Sequence, residues 1–465
     1  MEKNYTAMLS EYIAGIQYEQ LPQEVLDQVK RLTLHVIGAS IGALPIEQTQ
    51  KTINMVYAKG GVGEATVWGS DGKKVPAREA AFANGAISDI MDWEDCHWTG
   101  HASAGAVPVA LAMGEKLKLS GKDYMTAGVA GFEGYTRIAM AVQPSKEFLK
   151  VGSRWGLVSW QIFAASLAAA KAEKMNAHQI QQVLGASMYN AFAPCNRHSD
   201  GLGKSDIYHF SHGYCARNGV VAAEITKLGF DNCTTALDGP NGYWHKVSDQ
   251  QDTSWYTKEF GTHWYICDTY LKHWPTNMWV QTPMEALDEI MKRRPFKLDE
   301  VEKIRISPIV PMICNDYSKS TLSPLDAQFS IPYCLTAYIL DHTMSAKWFS
   351  KEMRHNETLM NASKLYEFFG PTKNPTDCFD EFKAGSFPEV TVEVYFKDGS
   401  CESKTMRYPK GHPLNNFTLP EQYDHFRLCC KPYMPAEQIE KIITMVDKLE
   451  EMDDVNKLAE LCAIH

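Results

Sequence analysis

The stretch 91–105, MDWEDCHWTGHASAG, places three carboxylates, two histidines and a cysteine directly before the alanine-rich run 106–117, AVPVALAMGEKL. The run is apolar on nearly every face, so the helix that it predicts is buried against other helices rather than lying on a surface. A buried helix that begins directly after a group of ionisable side chains indicates a helical core with a polar site at its edge. This stretch therefore anchors both the fold prediction and the candidate site.

Helical periodicity continues through the first half of the chain. Residues 21–43 carry apolar side chains at three- and four-residue spacing, with Pro22 near the start and Gly42 near the end, as helix capping favours. Several more segments are rich in alanine and glycine, which lets helices approach one another closely. These predicted helices cover 75–91, 106–120, 121–142, 159–175, 176–192 and 213–230.

The character of the sequence changes after about residue 266. Residues 282–296 predict a helix, 301–310 alternate like a strand, and 326–342 predict one helix with Pro332 inside it. Residues 387–411 predict a β-hairpin with its turn at Asp398-Gly399, and helices return at 419–452. The predicted fold class is mainly α. A large all-helical domain, residues 1–265 and 405–465, holds a smaller α+β lid domain, residues 266–404, inserted before the C-terminal helices.

Composition excludes several classes of protein. The chain of 465 residues is 45% hydrophobic and has a formal net charge of −10 with a pI of about 5.9, which argues against a nucleic-acid partner. It has no secretory signal pattern, no membrane-length apolar run, and its twelve cysteines form no CxxC pair. We expect a cytoplasmic protein with reduced thiols that neither enters nor lies on a membrane.

An ordered set of motifs resembles the MmgE/PrpD family, which includes 2-methylcitrate dehydratase and cis-aconitate decarboxylase. The resemblance runs along most of the chain and implies a helical domain with a smaller α+β lid, assembled as a homodimer. It also implies an active site between body and lid that acts on a small organic acid without a metal or organic cofactor. The matching motifs are DWEDC (92–96), GHASAGAVPVALA (100–112), GVAGFEGYTRIA (128–139), KLGF (227–230), TALDGPNGYW (235–244), DAQFSIPY (326–333), VEVYFKDG (392–399) and PKGHPLNNF (409–417).

The candidate catalytic pair is His101 with Asp92. Chemistry alpha to a carboxylate needs a group that gives or takes a proton, and histidine does so near neutral pH when a carboxylate orients it. The resemblance supports both residues and adds Tyr333 and His209 as further catalytic candidates. The alternative is structural: Asp92 or Asp95 caps the following helix, or His101 is a buried polar group whose hydrogen bonds are satisfied.

The chain departs from the family at the partner positions. Trp155 stands where relatives have a histidine, Tyr208 at a lysine position, Ser211 at a histidine position, and Gln281 at a lid histidine of the decarboxylases. Lys204 precedes Tyr208 by four residues and is a candidate replacement for that lysine. The predicted substrate-binding residues are Lys204, Ser211, Trp155, Tyr208, Lys272 and Gln281.

Aromatic side chains at these positions indicate a pocket less cationic than that of a tricarboxylate enzyme. The predicted function is a cofactor-independent lyase, of dehydratase or decarboxylase type, on a substrate with fewer carboxylates. The alternatives are an epimerase or isomerase of a small amino- or iminodicarboxylate, and a non-catalytic paralogue. We expect no metal, because the metal-capable residues Asp92, Glu94, Asp95, Cys96 and His97 lack the spacing of the known metal motifs.

Overall fold

The structure is a computed structural model that describes residues 3–97, 100–145, 147–148, 160–191, 207–374, 381 and 384–464. Within these ranges the chain is mainly α-helical with small sheets, which confirms the predicted fold class. The helices of the first half are Tyr5–Gly15 (α1), Gln23–Gly42 (α2), Glu47–Lys59 (α3), Ala77–Asp89 (α4), Ser103–Leu117 (α5), Gly121–Ala141 (α6), Gln161–Ala172 (α7), Ala177–Asn190 (α8) and Ile207–Lys227 (α9). Those of the second half are Met278–Arg293 (α10), Pro324–Gln328 (α11), Ile331–Leu340 (α12), Lys351–Arg354 (α13), Glu357–Met360 (α14), Leu419–Cys430 (α15), Ala436–Asp447 (α16) and Asn456–Leu461 (α17).

Small residues hold the core of the helical body together. Helix α4 packs against both α5 and α9, and a Cβ on Gly85 would lie 2.9 Å from the carbonyl oxygen of Ala104. A Cβ on Gly213 of α9 would lie 2.6 Å from the carbonyl oxygen of Phe82, a contact that only glycine allows. These close approaches bring the C-terminal end of α4 and the N-terminal half of α9 together at the base of the site.

The second half contains the main sheet, with strands Val301–Ser307 (β5), Tyr366–Phe368 (β6), Val390–Phe396 (β7) and Cys401–Met406 (β8) in the order β6-β5-β7-β8. Strand β5 is parallel to β6 and antiparallel to β7, and β7 and β8 form the predicted hairpin. Its turn uses Gly399 at φ +86°, a left-handed conformation that favours glycine. Alternate residues of β7 are buried, and α10 packs on β7 and β8.

One predicted helix is wrong as a single element. The segment 326–342 contributes to two helices, α11 and α12, separated at Phe329 and Ser330. Ser330 caps α12 by accepting the N–H of Tyr333, and Pro332 lies in the first turn of that helix. A proline there removes no hydrogen bond, because the first N–H groups of a helix have no partner within it. The proline therefore marks the start of a helix rather than its interior.

Two contacts join the halves of the chain near the site. The short strand Asp95–Cys96 (β3) pairs antiparallel with Tyr270–Leu271 (β4), and α15 packs against α2. The remaining short strands, Ala65–Thr66 (β1) and Lys74–Val75 (β2), pair with each other. No helix within the described ranges has the length and apolar character needed to cross a bilayer.

Candidate active site

The chain reverses direction after α4 and enters β3 through Asp92. This residue has φ +50°, a left-handed conformation that aspartate tolerates better than most side chains. The N–H of Asp92 bonds the carbonyl oxygen of Asp89 at 2.8 Å, and the N–H of Lys272 bonds the carbonyl oxygen of Glu94 at 3.2 Å. The turn and the β3–β4 pairing therefore bring several ionisable side chains together in one buried cluster.

Lys272 is the cation of this cluster. Its ammonium donates to Asp92 Oδ1 and, at 2.7 Å, to Glu94 Oε1, and all three side chains are fully buried. Burial alone would lower the pKa of Lys272, but the charges of Asp92 and Glu94 outweigh it and hold that pKa above its ordinary value. Lys272, predicted as a substrate ligand, thus lies in the cluster as the counter-ion of two carboxylates.

His101 is paired with Glu94 rather than with Asp92. Its Nδ1 lies 2.6 Å from Glu94 Oε1 and 2.9 Å from the carbonyl oxygen of Asp95. The predicted pairing with Asp92 differs from this geometry because Asp92 turns its carboxylate to Lys272, whereas the longer Glu94 reaches both partners. Sequence proximity could not separate two acidic residues only two positions apart.

The protonation of this pair suits proton donation. Burial and the Lys272 charge lower the pKa of His101, but Glu94 overcomes them and the pKa rises to about 9. Burial also raises the pKa of Glu94 to about 7, against the opposing charges of Lys272 and His101. The raised pKa favours the imidazolium form of His101, with the buried Glu94 carboxyl group fixing its Nδ1.

Asp95 has the structural role that the alternative interpretation gave it. Its Oδ1 accepts the N–H of Ser103, the first residue of α5, at 3.2 Å and also the hydroxyl of Ser103. Burial raises the pKa of Asp95 to about 6. A carboxylate at the first turn satisfies N–H groups that the helix itself leaves unpaired.

Asp89 joins two histidines of α9 to the cluster. His209 Nδ1 lies 2.7 Å and His212 Nε2 3.1 Å from Asp89 Oδ2, and all three side chains are buried. Burial would raise the pKa of Asp89, but the two histidines bring it well below its ordinary value. Asp89 was not predicted from the sequence, and no role was predicted for His212. The available signal was the i, i+3 spacing of His209 and His212, which places both rings on one helix face.

Two buried glutamines were also missed. Gln328 Nε2 donates to the carbonyl oxygen of Ile90 at 2.8 Å, and Gln161 Nε2 donates to that of His101 at 3.2 Å. Within the described part of the chain, the Oε1 atoms of both side chains have no hydrogen-bond partner. They are acceptors available to a ligand at the edge of the cluster.

Three other predicted site residues are engaged elsewhere. Gln281 accepts from Tyr270 and bonds the backbone of Trp274 and Thr276, so its amide holds the 274–276 loop. Tyr333 donates to the carbonyl oxygen of Trp348, and Ser211 donates to that of Tyr208 in its own helix.

Tyr208 is buried beside the histidines, with its ring 5.5 Å from that of His209 and 5.9 Å from that of His212. Burial raises the pKa of its hydroxyl well above the ordinary value, which keeps the phenol protonated. Two more predicted substrate ligands, Lys204 and Trp155, lie outside the described residues.

The cluster also contains one set of side chains that could hold a cation. Asp89, Glu94 and His101 each offer an atom within 4.8 Å of the others. This set differs from the residues considered in the sequence analysis, since only Glu94 is common to both. In the structure these atoms have other partners: Lys272 contacts Glu94, and His101 Nδ1 contacts Glu94 and the carbonyl oxygen of Asp95.

Comparison with known proteins finds matches to a single family along most of the chain. Residues 7–256 match the MmgE/PrpD N-terminal domain and residues 274–451 match the MmgE/PrpD C-terminal domain. The chain is 23% identical to a cis-aconitate decarboxylase of Mus musculus, covering 99% of this chain and 94% of that protein. It is 23% identical to the Homo sapiens cis-aconitate decarboxylase (99% and 95% covered) and 22% identical to one from Aspergillus terreus (98% and 95% covered).

Proposed function

Because the chain belongs to the MmgE/PrpD family, we propose that it is a lyase of the dehydratase or decarboxylase type that acts on a small organic acid. The similarity to cis-aconitate decarboxylases along nearly the full length of both chains supports a lyase. At 22–23% identity, the similarity does not carry the substrate of those proteins to this chain.

The observation that carries the proposal is the buried His101, whose Nδ1 is held by Glu94 and the Asp95 carbonyl beside the Lys272 ammonium. Dehydration protonates a leaving hydroxyl, and decarboxylation protonates the carbanion that loss of CO₂ leaves. An oriented imidazolium supplies either proton, and neither reaction changes the oxidation state of the protein. We therefore propose acid/base chemistry that needs no cofactor.

The substrate that fits this site carries fewer carboxylates than a tricarboxylate. In the described part of the cluster, the carboxyl groups of Asp89, Asp92, Glu94 and Asp95 outnumber the single ammonium of Lys272. Each further substrate carboxylate buried here would need its own donor or cation.

Three further features remain proposals from the sequence: a homodimer, a cytoplasmic location and the division into body and lid. The proposed division places Lys272 on the lid side and Asp92, Glu94 and His101 on the body side. The cluster would then form only when lid and body meet.

An epimerase or isomerase is the second candidate. The ring centroids of His101 and His212 lie 5.4 Å apart, so the cluster contains two histidines that could exchange protons with one substrate. Deuterium incorporation from solvent without any change in unsaturation or loss of CO₂ would identify this activity.

The test replaces His101 with asparagine. Turnover is measured on a panel of hydroxylated and unsaturated di- and tricarboxylic acids that includes cis-aconitate, by ultraviolet absorbance and CO₂ release. We expect His101→Asn to lower kcat by about 100- to 10,000-fold, the usual contribution of a general acid. His178→Asn, at an exposed histidine of α8, serves as the control and should keep full activity.

Full activity in His101→Asn would exclude the assigned acid. Absence of turnover by the unaltered protein across the panel would favour the non-catalytic alternative. Thermal-shift measurements on the same panel test the substrate class, since strongest stabilisation by tricarboxylates would contradict the preference for fewer carboxylates.

A further inference from the structure

His212 is the most deeply buried histidine of the cluster, with none of its surface exposed. Its Nε2 lies 3.1 Å from Asp89 Oδ2, an ion-pair contact, and neither ring nitrogen has a partner in hydrogen-bond geometry among the described residues. A buried imidazole nitrogen without a partner loses its hydration and gains nothing in return, which costs free energy. Such an unpaired atom indicates a side chain that takes part in ligand binding or catalysis.

The fold fixes this ring in place from several sides. Gly213 and Gly85 allow α9 and α4 to approach closely, and the carbonyl oxygen of His212 lies 3.4 Å from the position of a Cβ on Gly85. The carboxylate of Asp89 is held between His212 and His209. The ring of Tyr208, in the same helix, lies steeply inclined to that of His212 with centroids 5.9 Å apart. Tyr208 therefore also packs against the imidazole.

The ring faces His101. The two imidazoles are 5.4 Å apart at their centroids and nearly perpendicular, at an interplanar angle of 79°. His101 enters from the segment before α5 and pairs with Glu94, whereas His212 enters from α9 and pairs with Asp89. Two histidines with separate carboxylate partners thus meet at one point of the site.

Their environments separate their protonation states. Burial lowers the pKa of His212, with an opposing effect from Asp89 and further lowering by the positive charges of His101 and His209. The pKa of His101 instead rises to about 9 beside Glu94. Two neighbouring groups that are shifted in opposite directions are suited to give and to take a proton at the same pH.

We propose that His212 is the base of this site and His101 its acid, an inference that rests on the lyase function proposed above. In a dehydration, the C–H bond next to the substrate carboxylate breaks and its proton moves to Nδ1 of His212. The electron pair forms the C=C bond as the C–O bond breaks, and the leaving hydroxyl takes the proton of His101 to become water. Asp89 stabilises the imidazolium that forms on His212.

This assignment distinguishes two lyase reactions. In a decarboxylation the C–C bond breaks, CO₂ leaves, and the electron pair on carbon takes one proton from an acid. That reaction needs His101 alone, so His212 would have no part in it. A base placed beside the acid therefore fits elimination of water or its reverse.

The experiment uses the full-length protein and the variants His212→Gln and His212→Phe, the second of which keeps an aromatic ring but has no nitrogen. Turnover of the same acid panel is measured in H₂O and D₂O, together with thermal melting. We expect kcat to fall by about 100-fold or more with KM changed by less than about threefold, and exchange of the substrate C–H with solvent to stop. His412→Gln is the matched control, because His412 is a buried histidine outside the cluster whose Nδ1 accepts the N–H of Leu414.

A second measurement does not depend on the variants folding. Histidine labelled with ¹³C at Cε1 reports ring protonation by NMR, and the His212 signal is identified by its through-space contact with His101. At pH 7 we expect a neutral His212 beside a protonated His101. A protonated His212 would overturn the inference.

The outcomes separate this inference from the proposed function. If the unaltered protein turns over no acid of the panel, the lyase function itself fails. If it is active and the His212 variants keep at least a third of kcat, the lyase function stands and His212 is not its base. Loss of exchange and turnover in both folded variants, with His412→Gln unaffected, supports the assignment.

Discussion

Two groups of buried histidines lie against the segment 93–94. Their pKa values are shifted in opposite directions although both groups are buried. In the first, His101 lies against Glu94 and the Lys272 ammonium. In the second, Nε2 of His35 donates to the carbonyl oxygen of Glu94 at 3.1 Å, and the His35 ring stacks on His425 with centroids 5.1 Å apart.

The difference in pKa is produced by the groups that each histidine contacts rather than by how deeply the histidine is buried. Burial lowers the pKa of His35 to about 4, and burial with the neighbouring histidines holds the pKa of His425 well below its ordinary value. His101 is buried as well, yet Glu94 raises its pKa to about 9. The carboxylate of Glu94 therefore favours the protonated form of His101, whereas the backbone and aromatic neighbours of His35 and His425 leave these two histidines neutral.

Removing the cation of the charged group should have the largest effect on stability. Lys272→Met leaves Asp92 and Glu94 buried without their counter-ion, and we expect the free energy of unfolding to fall by about 3–5 kcal/mol. Urea denaturation measures the change. Lys292→Met removes a largely exposed lysine that contacts Asp288, and should cost less than about 1 kcal/mol. Equal costs for the two variants would show that the buried group is not held by its charges.

The two groups should respond to pH in opposite directions. Unfolded histidine titrates near pH 6.5, so His35, which stays neutral in the folded protein, lowers stability as pH falls from about 6.5 to about 4, by about 3 kcal/mol. His101 has a raised pKa, so its contribution is complete below about pH 6.5 and is lost as pH rises towards about 9. His35→Gln should flatten the acid side of the stability profile and His101→Asn the alkaline side. This interpretation would be contradicted if, in both variants, the free energy of unfolding still changed with pH on the acid and the alkaline side as it does in the unaltered protein.

The smallest effect is expected where the charged group meets α5. Ser103→Ala removes the hydroxyl that Asp95 accepts but keeps the N–H contact, so unfolding should become easier by about 1 kcal/mol. Ser254→Ala removes an exposed hydroxyl bonded to Asp252 and should cost only a few tenths of a kcal/mol. Denaturation midpoints of the two variants decide the comparison. A Ser103→Ala variant as stable as the Ser254→Ala control would show that the Ser103 hydroxyl adds nothing to the contact with Asp95.

Much of the fold followed from local patterns. The helices α2, α4, α5 and α6 were predicted from apolar periodicity and small residues, and the hairpin β7–β8 from Asp398-Gly399 between alternating strands. The break between α11 and α12 was missed because Pro332 has opposite meanings in the interior and in the first turn of a helix. Only the cap at Ser330 distinguishes the two.

The candidate site was predictable in part. Asp92, His101, Lys272 and His209 were named from sequence, and the structure brings them into one buried cluster. Asp89 was not named, because a carboxylate at the end of an alanine-rich helix has no local sign of the histidines that it meets on α9. Tyr333 and Gln281 matched or aligned with family positions, but the structure shows them bonded to backbone outside the cluster.

The sequence by itself determined the helical class, the small sheet, the family and the segment for which we propose the chemistry, because periodicity, turn residues and motif order are local properties. The tertiary structure alone decided which carboxylate each cation meets: Glu94 for His101, Asp92 and Glu94 for Lys272, and Asp89 for His209 and His212. These pairings set the protonation of every histidine in the cluster, since a pKa depends on charges a few ångströms away in space rather than on neighbours in the chain.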